Sequence, residues 1–181
     1  MKYLIFDTET TGFPPSARLV SIAWQIWDDN NFIEKDYFVI RPDGFEIPWQ
    51  AAKVHGITTE MAMEQGVELN GVMNKFNQKL NEIDTVVAHN YGFDSKIVNG
   101  EFKRLKMNGN LEKKQVIDTM TKSTDYVKLP GRYGKYKWPK LDELYNYLFG
   151  KSFNDAHSAD ADVEATVKCF FELQKRKVIY A

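Results

Sequence analysis

The sequence predicts an α/β fold built on one mixed five-stranded sheet with helices on both faces. Strand-like segments fill the first 40 residues, and helical periodicity interrupted by two short apolar segments follows after about residue 68. A chain of 181 residues, of which 43% are hydrophobic, has the length and composition of one compact domain with a full core. We therefore expect residues 1–181 to form a single domain.

Three strands are predicted in the N-terminal part of the chain. Residues 2–6 form a short apolar run that breaks at Asp7, which indicates a buried strand ending in a polar loop. Apolar and polar residues alternate over 20–26, the period of a second strand. A polar turn at residues 28–31 leads to a third strand over 32–40, so the second and third strands are expected to form a hairpin.

Helices and short strands alternate in the rest of the chain. Residues 68–82 are predicted to form a helix that carries Leu69, Val72, Phe76 and Leu80 on one face. The other predicted elements are strands over 85–88 and 115–117, the latter ending at Asp118, and helices over 94–106, 141–149 and 158–177. A three-strand meander followed by two αβ units and closing helices is typical of the ribonuclease H-like architecture.

Composition limits the classes of function. The net charge of −1 provides no overall attraction to nucleic acid, so binding of a polyanion would need local basic patches or bound metal. Cys169 is the single cysteine, which fits a reducing interior. No apolar run is long enough to span a bilayer and the N-terminus lacks a signal-peptide pattern, so we expect a cytoplasmic protein without membrane association.

Two acids follow the first predicted strand at a spacing of two residues. Asp7 and Glu9 therefore project from the same face, and the longer arm of Glu9 lets the two carboxylates converge. Hard oxygen donors of this kind form half of a magnesium or manganese site. The alternative interpretation is a polar turn after a strand, which would be preferred for an isolated pair.

Asp94 begins the apolar stripe of its predicted helix. Val98, Phe102 and Leu105 follow it at helical spacing, so the carboxylate is expected to point toward the core. A buried carboxylate is costly unless a metal or hydrogen-bond donors compensate for its charge. An N-cap aspartate is the alternative, and the sequence alone leaves both interpretations open.

His157 and Asp162 lie near the start of the last predicted helix. On a continuous helix they would be separated by roughly 140° around the axis, which is poor for a shared site. If the helix begins near Ser158, His157 lies in the preceding loop and can fold back over the site, while Asp162 points from the first turns of the helix. Imidazole is well suited to accept a proton from water near neutral pH, although a lone histidine is more often structural.

Three segments together resemble the DnaQ-like, or DEDDh, superfamily of 3′–5′ exonucleases. The run FDTETTGF (6–13) is similar to its first motif, VVAHNYGFD (86–94) to its second, and HSADADVEAT (157–166) to its third, with the H-x-x-x-x-D spacing intact. VHGIT (54–58) resembles a segment common in proofreading subunits of bacterial DNA polymerases, such as the epsilon subunit. The resemblance covers nearly the whole chain.

The resemblance implies a specific site and activity. It makes Asp7, Glu9, Asp94 and Asp162 the ligands of two divalent cations, Mg²⁺ or Mn²⁺, and His157 the general base. It also implies a substrate-binding set that meets the 3′ end of DNA or RNA: Thr10, Thr11, Gly12, Phe13, His89 and Asn90. A role in DNA proofreading or repair, with a DNA polymerase subunit as candidate partner, follows from the same resemblance. Asp160 does not match the third motif, and a structural role is expected for His55.

Two other classes of function are considered. The run LIFDTETTG superficially resembles the D-x-D-x-T motif of haloacid dehalogenase-type phosphatases, in which Asp7 would be the nucleophile. Glu9 replaces the second aspartate of that motif, and the late acids are arranged as H-x-x-x-x-D, which disfavours this class. A nucleic-acid-binding module without catalysis is disfavoured because all five chemical positions are filled.

A basic and aromatic segment covers residues 128–141. It contains five cations and no acid before Asp142, and three aromatic residues are interleaved with the cations: Lys128, Arg132, Lys135, Lys137 and Lys140, with Tyr133, Tyr136 and Trp138. One interpretation is a solvated basic loop with Trp138 packed in the core. The other is a loop that binds phosphates and unstacked bases.

Overall fold

The structure is a computed structural model that describes residues 1–153 and 157–180. Five strands form one sheet: β1 (Lys2–Thr10), β2 (Leu19–Asp28), β3 (Asn31–Val39), β4 (Thr85–Ala88) and β5 (Gln115–Asp118). The helices are α1 (Trp49–His55), α2 (Thr59–Gln65), α3 (Leu69–Asn81), α4 (Tyr91–Arg104), α5 (Thr119–Val127), α6 (Leu141–Phe149) and α7 (Ala159–Lys175). Single 3₁₀ turns cover Leu111–Lys113 and Arg132–Gly134.

The sheet is mixed and has the strand order β3-β2-β1-β4-β5. The first three strands form an antiparallel meander, and β4 and β5 are added in parallel next to β1. The predicted hairpin of β2 and β3 and the predicted mixed five-stranded sheet are therefore confirmed. β1 lies at the centre, where the antiparallel and parallel parts of the sheet meet.

Alternate residues of β1 point to opposite faces of the sheet, and helices cover both faces. Leu4 packs in one core cluster with Phe76 of α3 and Val98 of α4. Tyr3 packs in the other cluster, where its ring lies 5.0 Å from that of Phe170 on α7. Side chains of β1 therefore point in alternation toward α3 and α4 on one face of the sheet and toward α7 on the other.

The structure differs from the sequence-based expectation at the end of β1. The strand does not stop before Asp7 but continues to Thr10, and Asp7 pairs with Ala23 of β2 while Glu9 pairs with Ser21. Backbone pairing with β2 holds this segment extended although its side chains are polar. The interpretation of Asp7 and Glu9 as a polar turn after the strand is therefore wrong.

The start of α4 also differs from the sequence-based prediction. α4 begins at Tyr91 rather than at Asp94, and it follows Asn90, which adopts a left-handed conformation with φ of 73°. Asp94 therefore lies inside the first turn and is not the N-cap. The short helices α1, α2 and α5 were not predicted. Among the described residues, none of the helices has the length and apolar character needed to span a bilayer.

Candidate active site

Three carboxylates converge on the α7 side of the sheet. Asp7 and Glu9 lie on the same face of β1 because they are two residues apart, and Asp162 reaches them from the first turns of α7. One oxygen from each of these three side chains lies within 4.8 Å of the others. The expected convergence of Asp7, Glu9 and Asp162 on one point is thus present in the structure.

Asp94 approaches from the opposite face of β1 and lies outside this group of three. Its buried carboxylate accepts hydrogen bonds from the Thr8 backbone N–H at 3.0 Å and from the Thr8 hydroxyl at 2.7 Å. Thr8 lies between Asp7 and Glu9 in sequence, so the same short stretch of strand carries acids on one side and anchors Asp94 on the other. The inward orientation predicted for Asp94 is confirmed, and its role as a metal ligand stays a prediction.

The carboxyl groups of the site are strongly perturbed because protein atoms displace water around them. Burial, followed by the nearby charges of Asp94, Asp162 and Glu9, raises the pKa of Asp7 well above its usual range. Burial, reinforced by Asp162 and Asp94, raises the pKa of Glu9 to about 8. Burial raises the pKa of Asp162 to about 6 and that of Asp94 to about 7, the latter against the two hydrogen bonds from Thr8.

This arrangement fits a hard divalent cation. Within residues 1–153 and 157–180 no ion pair involves Asp7, Glu9 or Asp162. Three carboxylates that repel one another in a partly desolvated place are expensive to ionise without a positive charge between them. Carboxylate oxygens are also the ligands that Mg²⁺ and Mn²⁺ prefer.

His157 lies in the turn just before α7, with its side chain exposed and its backbone left-handed at φ of 73°. Ser158 is the N-cap of α7, as the histidine's proposed position requires. The backbone N–H of His157 donates to both carboxylate oxygens of Asp162, at 3.3 and 3.4 Å. The two hydrogen bonds therefore keep the backbone of His157 next to the acid cluster, as the predicted loop position requires, and its role as general base stays a prediction.

A cavity of about 550 Å³ opens above these groups. Asp7 and Asp162 line one part of its wall together with His157, and the predicted substrate-binding residues His89 and Asn90 line another part. Its size is within the range of ordinary small-molecule sites, roughly 300–1,000 Å³.

The predicted substrate-binding residues after β1 form a tight loop. The Thr10 hydroxyl donates to the Gly12 carbonyl at 2.6 Å, and Thr11 exchanges hydrogen bonds with Arg18 through its N–H and its hydroxyl, at 3.0 and 2.8 Å. Phe13 follows with 84% of its side chain exposed. The loop is thus held at its base and presents an aromatic ring at its tip. Contact of these residues with a nucleotide stays a prediction.

His89 has its ring nitrogens engaged within the protein. Nδ1 lies 3.0 Å from the Thr119 hydroxyl, and Nε2 lies 3.0 Å from the Pro139 carbonyl oxygen. Burial lowers the pKa of His89, which favours the neutral ring. Since a carbonyl only accepts, Nε2 carries the proton and donates to Pro139, while Nδ1 faces the Thr119 hydroxyl, which also lies 3.3 Å from the Ala88 carbonyl oxygen. His89 therefore fastens the segment before α6 to the end of β4.

Sequence reasoning missed several residues that support the site. Thr8 anchors Asp94, and Thr119 orients His89. The carboxylate of Asp118 accepts from the backbone N–H of Asn90 at 3.0 Å and so fixes the start of α4. Thr8 stands inside the first motif, which was a usable signal, but no local pattern points to Thr119.

The structure also shows the surroundings of Asp160, His55 and Trp138. Asp160 lies outside the group of three carboxylates and pairs with Lys35 at 3.7 Å. His55 is buried, and its Nδ1 accepts from the backbone N–H of Ile57 at 3.1 Å; its structural role stays a prediction. In the basic segment, Trp138 is 65% exposed, so the interpretation that places this ring in the core is wrong.

Comparison with known proteins agrees with the motifs. The chain matches the RNase_T family model, described as Exonuclease, over residues 4–170. It is 30% identical over 166 residues to the DNA polymerase III subunit epsilon of Buchnera aphidicola, which covers 88% of this chain and 67% of that protein. It is 26% identical over 170 residues to the PolC-type DNA polymerase III of Mycoplasmopsis pulmonis, covering 93% of this chain and 11% of the polymerase.

Solved structures give the same fold. Exonuclease I of E. coli, in complex with a dA16 oligonucleotide, superposes with a TM-score of 0.81 at 21% identity, covering 97% of this chain and 41% of that one. The chain thus spans less than half of Exonuclease I and about a tenth of the PolC-type polymerase. The family match also removes the phosphatase alternative. Because residues 4–170 include all three acid-bearing motifs, the chain belongs to the DnaQ-like family of exonucleases.

Proposed function

We propose that this chain is a metal-dependent 3′–5′ exonuclease that releases nucleotides one at a time from the 3′ end of DNA or RNA. The observation that carries the proposal is the approach of three carboxylate oxygens within 4.8 Å of one another beside a cavity that His157 borders. Residues 1–181 would form a single exonuclease domain.

Asp7, Glu9 and Asp162 would hold divalent cations, either Mg²⁺ or Mn²⁺, and Asp94 would complete the ligand set. When bound, two such ions would stabilise the negative charge that develops on the attacking and leaving oxygens of a phosphodiester. Asp94 is kept in place by Thr8, so its carboxylate is oriented before any ligand arrives. Orientation of this kind reduces the reorganisation that the reaction requires.

His157 would act as the general base. Its exposed ring can take a proton from the attacking water at a ring nitrogen, while its backbone remains tied to Asp162. The loop of Thr10, Thr11, Gly12 and Phe13, together with Asn90, would receive the terminal nucleotide. His89 would contribute by fixing the cavity wall, because both of its nitrogens are already engaged.

The relatives suggest a context for the activity. Several of them are named as DNA polymerase III subunits or polymerases, which supports DNA as a substrate and a DNA polymerase subunit as a candidate partner. Proofreading or repair, and an intracellular location, are part of this proposal.

The proposal is tested by digestion of single-stranded DNA, duplex DNA and short RNA, each labelled at the 5′ end, with Mg²⁺ and with Mn²⁺. A 3′–5′ exonuclease shortens the labelled strand in single-nucleotide steps. Asp7→Asn should nearly abolish the ladder, whereas Asp160→Asn, which removes an acid outside the site, should retain it. Internal cleavage, or full activity of Asp7→Asn, would contradict the proposal. Inactivity on all polymers would favour a binding module without catalysis.

A further inference from the structure

The loop that follows β1 is closed at its base. Thr11 and Arg18 exchange two hydrogen bonds there, at 3.0 and 2.8 Å. Next to them, Thr10 of β1 pairs with Leu19 of β2. Residues 12–17 therefore leave the sheet and return to it at one place. Because β1 leads from the carboxylates of the candidate active site directly into this loop, the position of the base decides where the tip of the loop lies relative to those carboxylates.

Glu101 of α4 anchors this base. The side chain is fully buried, and its Oε1 atom accepts a hydrogen bond from the Leu19 backbone N–H at 3.0 Å and another from Nε of Arg18 at 2.9 Å. Arg104, one turn later, forms an ion pair with the same oxygen at 3.2 Å and donates to the Ala17 carbonyl at 3.4 Å. The returning end of the loop is therefore tied to the last turns of α4.

Glu101 is a buried charge that the proposed chemistry does not use. A buried carboxylate is unfavourable unless cations and hydrogen-bond donors surround it. Arg18 is itself held on its other side, where its guanidinium lies 4.4 Å from the centroid of the Phe45 ring. Apolar contacts would join the loop to α4 without fixing a direction, whereas hydrogen bonds between charged groups also specify geometry. The network therefore sets the position of the loop and not only its attachment.

Asp94 and Glu101 lie on the same stripe of α4. They are seven residues apart, which is two helical turns and about 10 Å along the axis, and both are buried. Asp94 is anchored to Thr8 of β1, whereas Glu101 is anchored to Leu19 of β2. One helix therefore fixes the distance between an acid of the candidate active site and the base of the loop.

We propose that Glu101 is a positioning residue, which acts with Arg18 and Arg104 to hold the loop of residues 11–18 in place relative to the carboxylates. Glu101 does not touch the substrate; it determines where the loop places the nucleoside of the terminal nucleotide. The inference rests on the proposed function, because this loop must receive the terminal nucleotide.

The test compares two phosphodiesters in the presence of Mn²⁺. The p-nitrophenyl ester of thymidine 5′-monophosphate presents a nucleoside to the loop, whereas bis(p-nitrophenyl) phosphate has the same leaving group and no nucleoside. Glu101→Gln keeps an oxygen for the Leu19 N–H but removes the charge that holds both guanidinium groups; its amide nitrogen can take the place of Oε2, which has no hydrogen-bond partner among the described residues. The ratio of kcat/KM for the nucleoside ester to kcat/KM for the simple diester should fall roughly 10- to 100-fold, because a displaced loop misplaces only the nucleoside.

Two further variants separate positioning from stability. Arg104→Met changes a side chain that is 33% exposed, and it should lower the ratio by a smaller factor because Arg18 still pairs with Glu101. Val127→Ala is the control: it opens a cavity in the core on the other face of the sheet and lowers Tm without touching the network. Its ratio should equal that of the wild type. An equal fall of the ratio in the control and in the network variants would overturn the inference.

Hydrogen exchange and binding separate the inference from the proposed function. Exchange of the backbone N–H groups of residues 11–19 reports the anchor without turnover, and Glu101→Gln should speed it while exchange in β4 stays the same. Equal exchange in variant and wild type, or faster exchange with an unchanged ratio, would overturn the inference. If the wild type hydrolysed neither ester, the proposed function would fail. Weaker binding of thymidine 5′-monophosphate by Glu101→Gln than by Val127→Ala would then still support the positioning role, and equal binding would overturn it.

Discussion

Replacing Asp162 by asparagine is expected to stabilise the metal-free protein while removing metal binding. Asp162 lies in a cluster of acids without a paired cation among the described residues, and burial raises its pKa to about 6. Asparagine has nearly the same shape, and its carbonyl oxygen can still accept from the His157 backbone N–H. The substitution therefore removes mainly a negative charge.

The size of the effect follows from the pKa. A folded-state pKa of about 6, against an ordinary 3.8, corresponds to ~3 kcal/mol when the group is fully ionised. Because Asp162 is half-buried and solvent screens part of this energy, we expect ~1–2 kcal/mol. That gain corresponds to a rise in Tm of roughly 2–8 °C for a domain of this size.

The effect depends on pH in a defined direction. Between the unfolded pKa near 4 and the folded pKa of about 6, the folded protein retains a proton that the unfolded chain has lost. The wild type therefore loses stability as pH rises through this window, and Asp162→Asn does not. The advantage of the variant should be small at pH 4, should grow up to pH 6 and should be at least as large at pH 8, where Glu9 also begins to ionise beside Asp162.

Thermal unfolding in EDTA at pH 4, 5, 6 and 8 measures this advantage, with Asp160→Asn as control. Asp160 lies on the same helix and pairs with exposed Lys35, so its substitution should change Tm little. Saturating Mn²⁺ should then stabilise the wild type and the control far more than Asp162→Asn. An advantage of the same size at pH 4 and pH 8, or an equal response of all three proteins to Mn²⁺, would refute the reasoning.

Three further predictions concern the base, the anchor of Asp94 and the basic segment. His157→Ala should retain Mn²⁺ affinity in calorimetry but lose roughly 10²–10⁴ in kcat; loss of metal binding would instead make the residue a ligand. Thr8→Val removes a hydrogen bond that lowers the pKa of Asp94, so Mn²⁺ affinity should fall more at pH 6.5 than at pH 8.5, and an equal fall would be inconsistent with this explanation. Arg132→Ala/Lys135→Ala should raise KM and flatten its salt dependence with kcat unchanged, and an unchanged salt dependence would show that these cations do not contact the substrate.

The bounds of helices and strands were predicted well where a single hydrophobic pattern defines the whole element. The bounds of Thr85–Ala88 and Leu141–Phe149 were correct because an apolar run and an amphipathic stripe, respectively, define these elements. The end of β1 was misplaced because Asp7 and Glu9 look like a break in an apolar strand, although pairing with β2 keeps them extended. Polar side chains at the end of a strand thus make its length hard to predict from the sequence alone.

The spatial arrangement of the site residues was harder to predict than their identity. The apolar residues that follow Asp94 at helical spacing predicted that its carboxylate points inward. Only the packed structure shows that this carboxylate reaches β1 from the face opposite Asp7. His89 was expected to meet substrate, and its hydrogen bond to Pro139 joins residues far apart in the chain. No local pattern encodes such a pairing, because it depends on how the segment before α6 returns to the sheet.

Backbone hydrogen bonds within the basic segment join its two ends, so its conformation does not depend on the side chains at its tip. Lys137 N–H donates to the Leu129 carbonyl at 3.0 Å and Gly131 N–H to the Lys135 carbonyl at 2.9 Å, while His89 fastens the far end at Pro139. None of these hydrogen bonds involves the carboxylates of the candidate active site, so the tip between Gly131 and Lys135 is held independently of them. Side chains at residues 132–134 can therefore be exchanged without loss of these three hydrogen bonds, so a change of charge at the tip leaves the path of the segment intact.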